Sequence, residues 1–243
     1  MHHVVLDEWG RRPGWLQKRD ARVKLVALLG YLIALGTAPP LALPAAAGFG
    51  ALAAAGVVLG KLPAGAVALR AALVLPIGLF LAAGLLLGGA ALRAGDLLVR
   101  SYLSAVAVLV VMGTTPMAGL LRAMESLGVP RFLVVVLHFL YRYLFVLSEQ
   151  AQHMRLAVRS RGLDRAGLRR CPSLWKAAGG ALAVLFARSL ARAEAIHRAM
   201  LARGYRGQVL WLRAARMRPG DWLFLAVALT LCAAVRVVLA HAG

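Results

Sequence analysis

Three long stretches without a charged side chain decide the class of this chain. Leu25 to Gly60, Ala71 to Leu92 and Ser101 to Leu121 contain no Asp, Glu, Lys or Arg. A helix needs roughly 20 apolar residues to cross the hydrocarbon core of a bilayer. Inside lipid the backbone must satisfy its own polar groups, which a helix does. The apolar runs are continuous rather than alternating, so a transmembrane β-barrel is excluded. Hydrophobic residues make up 61% of the chain, well above a soluble domain. The sequence therefore specifies an all-α polytopic membrane protein.

Prolines and charges punctuate the runs. A cytoplasmic or interfacial N-terminus covers residues 1–22, with Trp9 and Trp15 suited to the headgroup level. Residues 23–115 hold four spans. The first covers residues 23–38 and stops at Pro39-Pro40, which cannot continue the helix ladder. The second covers 41–59, followed by a turn at Lys61 and Pro63. The third covers 66–91 and should kink at Pro76. Arg93, Asp96 and Arg100 read as a loop, and the fourth span covers 97–115. A final span lies at 222–240, within a last segment of residues 219–243.

Between these lies a different kind of sequence. Residues 116–218 contain 18 basic and 4 acidic side chains, a balance of +14 out of a net +20 for the chain. In a soluble protein such charge suggests nucleic acid. Beside membrane spans, the excess of Lys and Arg on the cytoplasmic side explains it, and no nucleic-acid partner is expected. Three helices fit this segment: a short one over 117–127, and long ones over 131–161 and 174–203. The first long helix is apolar enough to span, but a crossing would put the basic segment behind it outside. Five spans with the N-terminus and the basic module in the cytoplasm satisfy both facts. Six spans, with this helix crossing, is the alternative.

Catalytic signatures are absent. There is no GxxxxGK[ST] phosphate loop, no HExxH and no GxSxG. Acidic residues within spans, the usual mark of an ion relay, are missing as well, which disfavours a self-contained carrier. Cys171 and Cys232 show no CxxC spacing. His153 follows Glu149 by four residues and His197 follows Glu194 by three, which reads as pairing on a helix face. No catalytic residue, metal ligand or cofactor is expected.

The chemistry concentrates at two helix ends. Arg159-Ser160-Arg161-Gly162 closes the first long helix, and Ala202-Arg203-Gly204 closes the second. A cation complements the negative end of the helix dipole, and Gly adopts the left-handed cap conformation at little cost. Along the second helix, Arg188, Arg192 and Arg198 recur beside an apolar side that includes Leu182, Phe186, Leu190 and Ile196. Such helices suit a partner groove that supplies carboxylates or carbonyls to the arginines. By spacing alone, contact with anionic lipid fits equally well.

The order of these features resembles the transmembrane T component of energy-coupling factor transporters, the CbiQ/EcfT family, over nearly the whole chain. That family ends its paired coupling helices with two Ala-Arg-Gly motifs. Here the second matches fully, and the first has Ser160 in place of Ala. Leu6 to Arg12 (LDEWGRR) and Asp20 to Leu25 (DARVKL) are similar to the CbiQ branch, with Ala21 where that branch has Pro.

The resemblance implies a cytoplasmic module of long crossed coupling helices in a multi-pass protein of the bacterial inner membrane. Two cytoplasmic ABC ATPases would hydrolyse ATP and receive Arg161 and Arg203 in their grooves. A separate CbiM-like membrane subunit, with a small CbiN-like accessory subunit, would capture cobalt or nickel. The apolar face around Phe132, Val136, Phe139, Leu140 and Phe145 is the expected seat of that subunit. A T component serving a vitamin transporter, a self-contained carrier, and a membrane-anchored assembly factor are the competing readings.

Overall fold

The computed structural model describes residues 14–38, 43–160, 173–207 and 219–242. Among these, the regular structure is nine helices. They are α1 (Ala21–Gly36), α2 (Leu43–Leu59), α3 (Ala64–Ala72), α4 (Leu75–Leu87), α5 (Ala91–Thr114), α6 (Met117–Ser126), α7 (Arg131–Ser160), α8 (Ser173–Ala202) and α9 (Pro219–Ala242). The chain divides into two compact units, Met1–Gly128 with Arg213–Gly243, and Val129–Leu212.

The first unit is a membrane bundle organised around α1 and α5, which run antiparallel. Asp20 starts α1: its Oδ1 accepts the Arg22 N–H at 3.0 Å, filling one of the donor sites that a helix start leaves open. Close glycine contacts set the other directions. Gly30 of α1 lies against Leu229 of α9, and Gly48 of α2 lies against Val235 of α9. Gly56 and Gly60, in and just after α2, lie against Val110 and Thr114 of α5. Small residues let membrane helices approach closely. At Gly60 the approach is absolute: a Cβ there would stand 2.9 Å from Thr114 Cγ2 and 3.0 Å from the Gly56 carbonyl oxygen.

The expected kink at Pro76 is a break. Helix α3 stops at Ala72, α4 starts at Leu75, and the two are bent by 46°. Proline lacks an N–H, and its ring clashes with the carbonyl four residues back, here Ala72. The loop expected at Arg93, Asp96 and Arg100 is instead the first part of α5. Asp96 and Arg100 sit one turn apart and pair at 2.9 Å. Arg100 also reaches the far end of α1, donating to the carbonyls of Leu35 (2.9 Å), Gly36 (3.2 Å) and Ala38 (3.0 Å). The charges that read as a loop are thus a cap for a neighbouring helix.

Among the described residues, three helices are long and apolar enough to cross a bilayer: α5, Arg131–Ala157 within α7, and Pro219–Val237 within α9. The bent pair α3–α4 makes a fourth if it counts as one span. Helices α1 and α2, at 16 and 17 residues, are shorter than a usual span. Many large apolar side chains of α4 face outward, with Phe80 81% and Leu87 92% exposed, as a lipid-facing surface requires. The molecule is an all-α polytopic membrane protein.

Helix α6 packs against α1 and so belongs to the first unit. Gly128, with φ +96°, turns the chain after it, and the second unit begins at Val129. In that unit α7 and α8, 30 residues each, pack on one another.

Candidate docking site

The second Arg-Gly end closes α8 with a complete left-handed cap. Gly204 has φ +79°. Its N–H donates to the Leu201 carbonyl at 2.9 Å, and the Tyr205 N–H donates to the Met200 carbonyl at 3.0 Å. This is the paired Schellman pattern, which satisfies carbonyls that a helix end otherwise leaves open. Arg203 stands at the last position before the left-handed residue, and its side chain is exposed. A cation held there lies against the negative end of the helix dipole and remains free to meet a partner.

At the first Arg-Gly end the structure describes less. Helix α7 continues through Arg159 to Ser160, whose hydroxyl donates to the Ala157 carbonyl at 2.9 Å. Arg161 and Gly162 lie outside the described residues.

Between α7 and α8 is a pocket of about 450 Å³. Phe139, Tyr143, Val146 and Leu147 line it from α7, and Ser189, Arg192, Ala193, Ile196, His197 and Met200 line it from α8. Tyr205 closes the set. His197, expected only to pair with Glu194, is part of this wall. His153 does approach Glu149, at 3.9 Å on an exposed face.

Of the five α7 residues expected to seat a membrane partner, four share a side. Phe132, Val136 and Leu140 recur every four residues and are exposed, at 77%, 41% and 61%. Phe139 lies on the same side at 3.6 residues per turn, but it turns into the pocket against α8. Phe145 falls on the opposite side and packs edge-to-face on Tyr141, with ring centroids 5.2 Å apart. The five do not make one surface.

The DARVKL block has a structural task that spacing did not reveal. Lys24 is 3% exposed. Its ammonium donates to the Thr114 carbonyl at 2.9 Å and to Thr115 Oγ1 at 3.0 Å, tying the start of α1 to the end of α5. Nearby, Gln17 Nε2 donates to the Gly60 carbonyl at 2.8 Å. Arg19 pairs with Asp221 at 3.4 Å and stacks over the Trp15 ring at 4.3 Å. One end of the bundle thus gathers the starts of α1 and α9 and the ends of α2 and α5. Leu6 to Arg12 lie outside the described residues. Among the described residues no three His, Cys, Asp or Glu side chains come together as metal ligands would.

The cobalt transport protein family CbiQ matches residues 13–211. The cobalt transport protein CbiQ of Rhodobacter capsulatus is 35% identical over 124 residues, covering 50% of this chain and 48% of that protein. Two uncharacterized proteins of Methanocaldococcus jannaschii are 31% identical over 103 residues and 34% identical over 100. Those matches cover 42% and 41% of this chain, and 34% and 36% of the archaeal proteins. The match thus spans between a third and a half of each relative's length. With most of its length, including both helices of the second unit, inside the family match, the chain belongs to the CbiQ family of cobalt transport proteins.

Proposed function

We propose that this chain is the energy-coupling membrane subunit of an ECF-type importer whose cargo is cobalt or nickel. It links two cytoplasmic ABC ATPases to a separate CbiM-like membrane subunit that captures the ion, and it has no catalytic role itself. The observation that carries this reading is the end of α8. An exposed Arg203 is held on a fully bonded left-handed cap, in a chain of the CbiQ family. Arg161 is assigned the matching docking role. The exposed α7 face of Phe132, Val136 and Leu140 seats the ion-capturing subunit.

Topology supports the reading. In the first unit α5 ends and α9 begins at the same end, the one marked by Lys24 and Asp221. The intervening segment therefore crosses the membrane an even number of times. The N-terminal cations Lys18, Arg19, Arg22 and Lys24 gather at that end, which the positive-inside bias places in the cytoplasm. This arrangement favours five spans over six.

Copurification tests the proposal. Tagged protein in mild detergent brings down two ATPase subunits, and Arg161→Glu with Arg203→Glu releases them while the helical content is unchanged. In reconstituted vesicles the double variant loses ATP-dependent cobalt uptake at least tenfold. Wild-type protein that purifies without any ATPase, or a double variant with full uptake, defeats the reading.

A further inference from the structure

The cap that presents Arg203 is built into the pocket between α7 and α8. Tyr205 is the residue that joins them. Its N–H closes the cap on the Met200 carbonyl at 3.0 Å, and its side chain, half-buried, lines the pocket together with Met200, Ile196, Phe139 and Tyr143. An apolar contact between the residue after the left-handed position and the last turn of the helix commonly accompanies a Schellman cap. Here the same side chain also belongs to a wall that α7 shares. Arg203 therefore lies between α8 and a ring that lines the pocket α7 and α8 share. We propose that Tyr205 is a positioning residue, a clamp through which the packing of α7 on α8 sets where Arg203 points. This deepens the coupling role proposed above and rests on it for its function, but not for its geometry. A small shift of α7 against α8 moves the Tyr205 ring, and the bonded cap carries that movement to Arg203 because only Gly204 lies between them.

The clamp is made by a ring and a backbone N–H, so Tyr205→Phe retains it and Tyr205→Ala removes it. The first measurement uses the full chain in detergent with Cys171 and Cys232 replaced by Ser and a nitroxide on Arg203→Cys. Tyr205→Ala sharpens the spin-label spectrum, and Tyr205→Phe leaves it as in the parent. An unchanged spectrum in Tyr205→Ala overturns the clamp, whether or not any ATPase binds. The second measurement uses the complex. Tyr205→Ala weakens ATPase retention about tenfold, Tyr205→Phe restores it, and Tyr205→Ala adds nothing once Arg203 is already Ala. Equal losses with and without Arg203 show that Tyr205 acts independently and refute the positioning role. If wild-type protein retains no ATPase, the coupling function falls and the spectrum alone decides the clamp.

Discussion

At the residue scale, two cations on the same chain have opposite duties. Arg203 is exposed and offered outward, while Lys24 is buried and used up within the bundle. The difference lies in what surrounds each. Arg203 ends a helix whose Met200 and Leu201 carbonyls are bonded by the cap, and its own side chain stays exposed. Lys24 sits beside the carbonyl at the end of α5, which has no helical partner of its own. Replacing Lys24 by Met keeps the volume and removes the donor, leaving the Thr114 carbonyl and Thr115 hydroxyl without that bond. A buried group deprived of its partner costs about 1–3 kcal/mol. The expected result is a lower thermal transition of the detergent-solubilised protein; a variant that melts with the parent would show that the ammonium is dispensable. Helix-dipole reasoning anticipated the Gly204 cap, because an Arg-Gly pair after an amphipathic run has few other uses. Lys24 was not legible in that way: one lysine at the edge of an apolar run looks like any snorkelling cation.

At the scale of elements, the ends of helices do most of the organising. The carbonyls at the end of α1 are capped by Arg100 from α5, 62 to 65 positions away in sequence. Each charge-assisted bond of this kind contributes about 1.5–3 kcal/mol when its loss strands a partner. Changing Arg100 to Leu should therefore destabilise the bundle by about 2 kcal/mol or more, with faster hydrogen exchange at residues 33–38 than elsewhere in α1. Asp96→Asn, which leaves the three carbonyl bonds in place, should have a clearly smaller effect. Equal effects of the two changes would mean that the ion pair, not the cap, is what matters. Boundaries set by proline were readable from the sequence. The break near Pro76 follows from a missing N–H and a fixed φ, and α1 stops at Gly36, two residues before the expected end at residue 38. The loop expected at residues 93–100 was misread because hydropathy counts charges and cannot see that a distant helix end needs them.

For the molecule as a whole, the arrangement of ends carries the topology. The proposed orientation puts the basic segment and the N-terminus in the cytoplasm and the end of α9 outside. A maleimide that does not cross membranes should label a cysteine at Gly243 from outside the cell, in a background lacking Cys171 and Cys232. A cysteine at Ser160 should stay protected until the membrane is opened. Protection of position 243, or labelling of position 160 from outside, would reverse the proposed orientation.

Hydropathy, proline and glycine sufficed to say that this chain is helical, that it belongs in a membrane, where most helices stop, and that α8 ends in Arg203 and a glycine cap. The effects of these signals are local. The folded arrangement was needed to see that Lys24 and Arg100 are internal ties and that Tyr205 joins the Arg203 cap to the α7–α8 pocket. Each of these depends on a partner many residues distant in the chain, and a carbonyl left open at one helix end gives no sign in sequence of the side chain that will fill it.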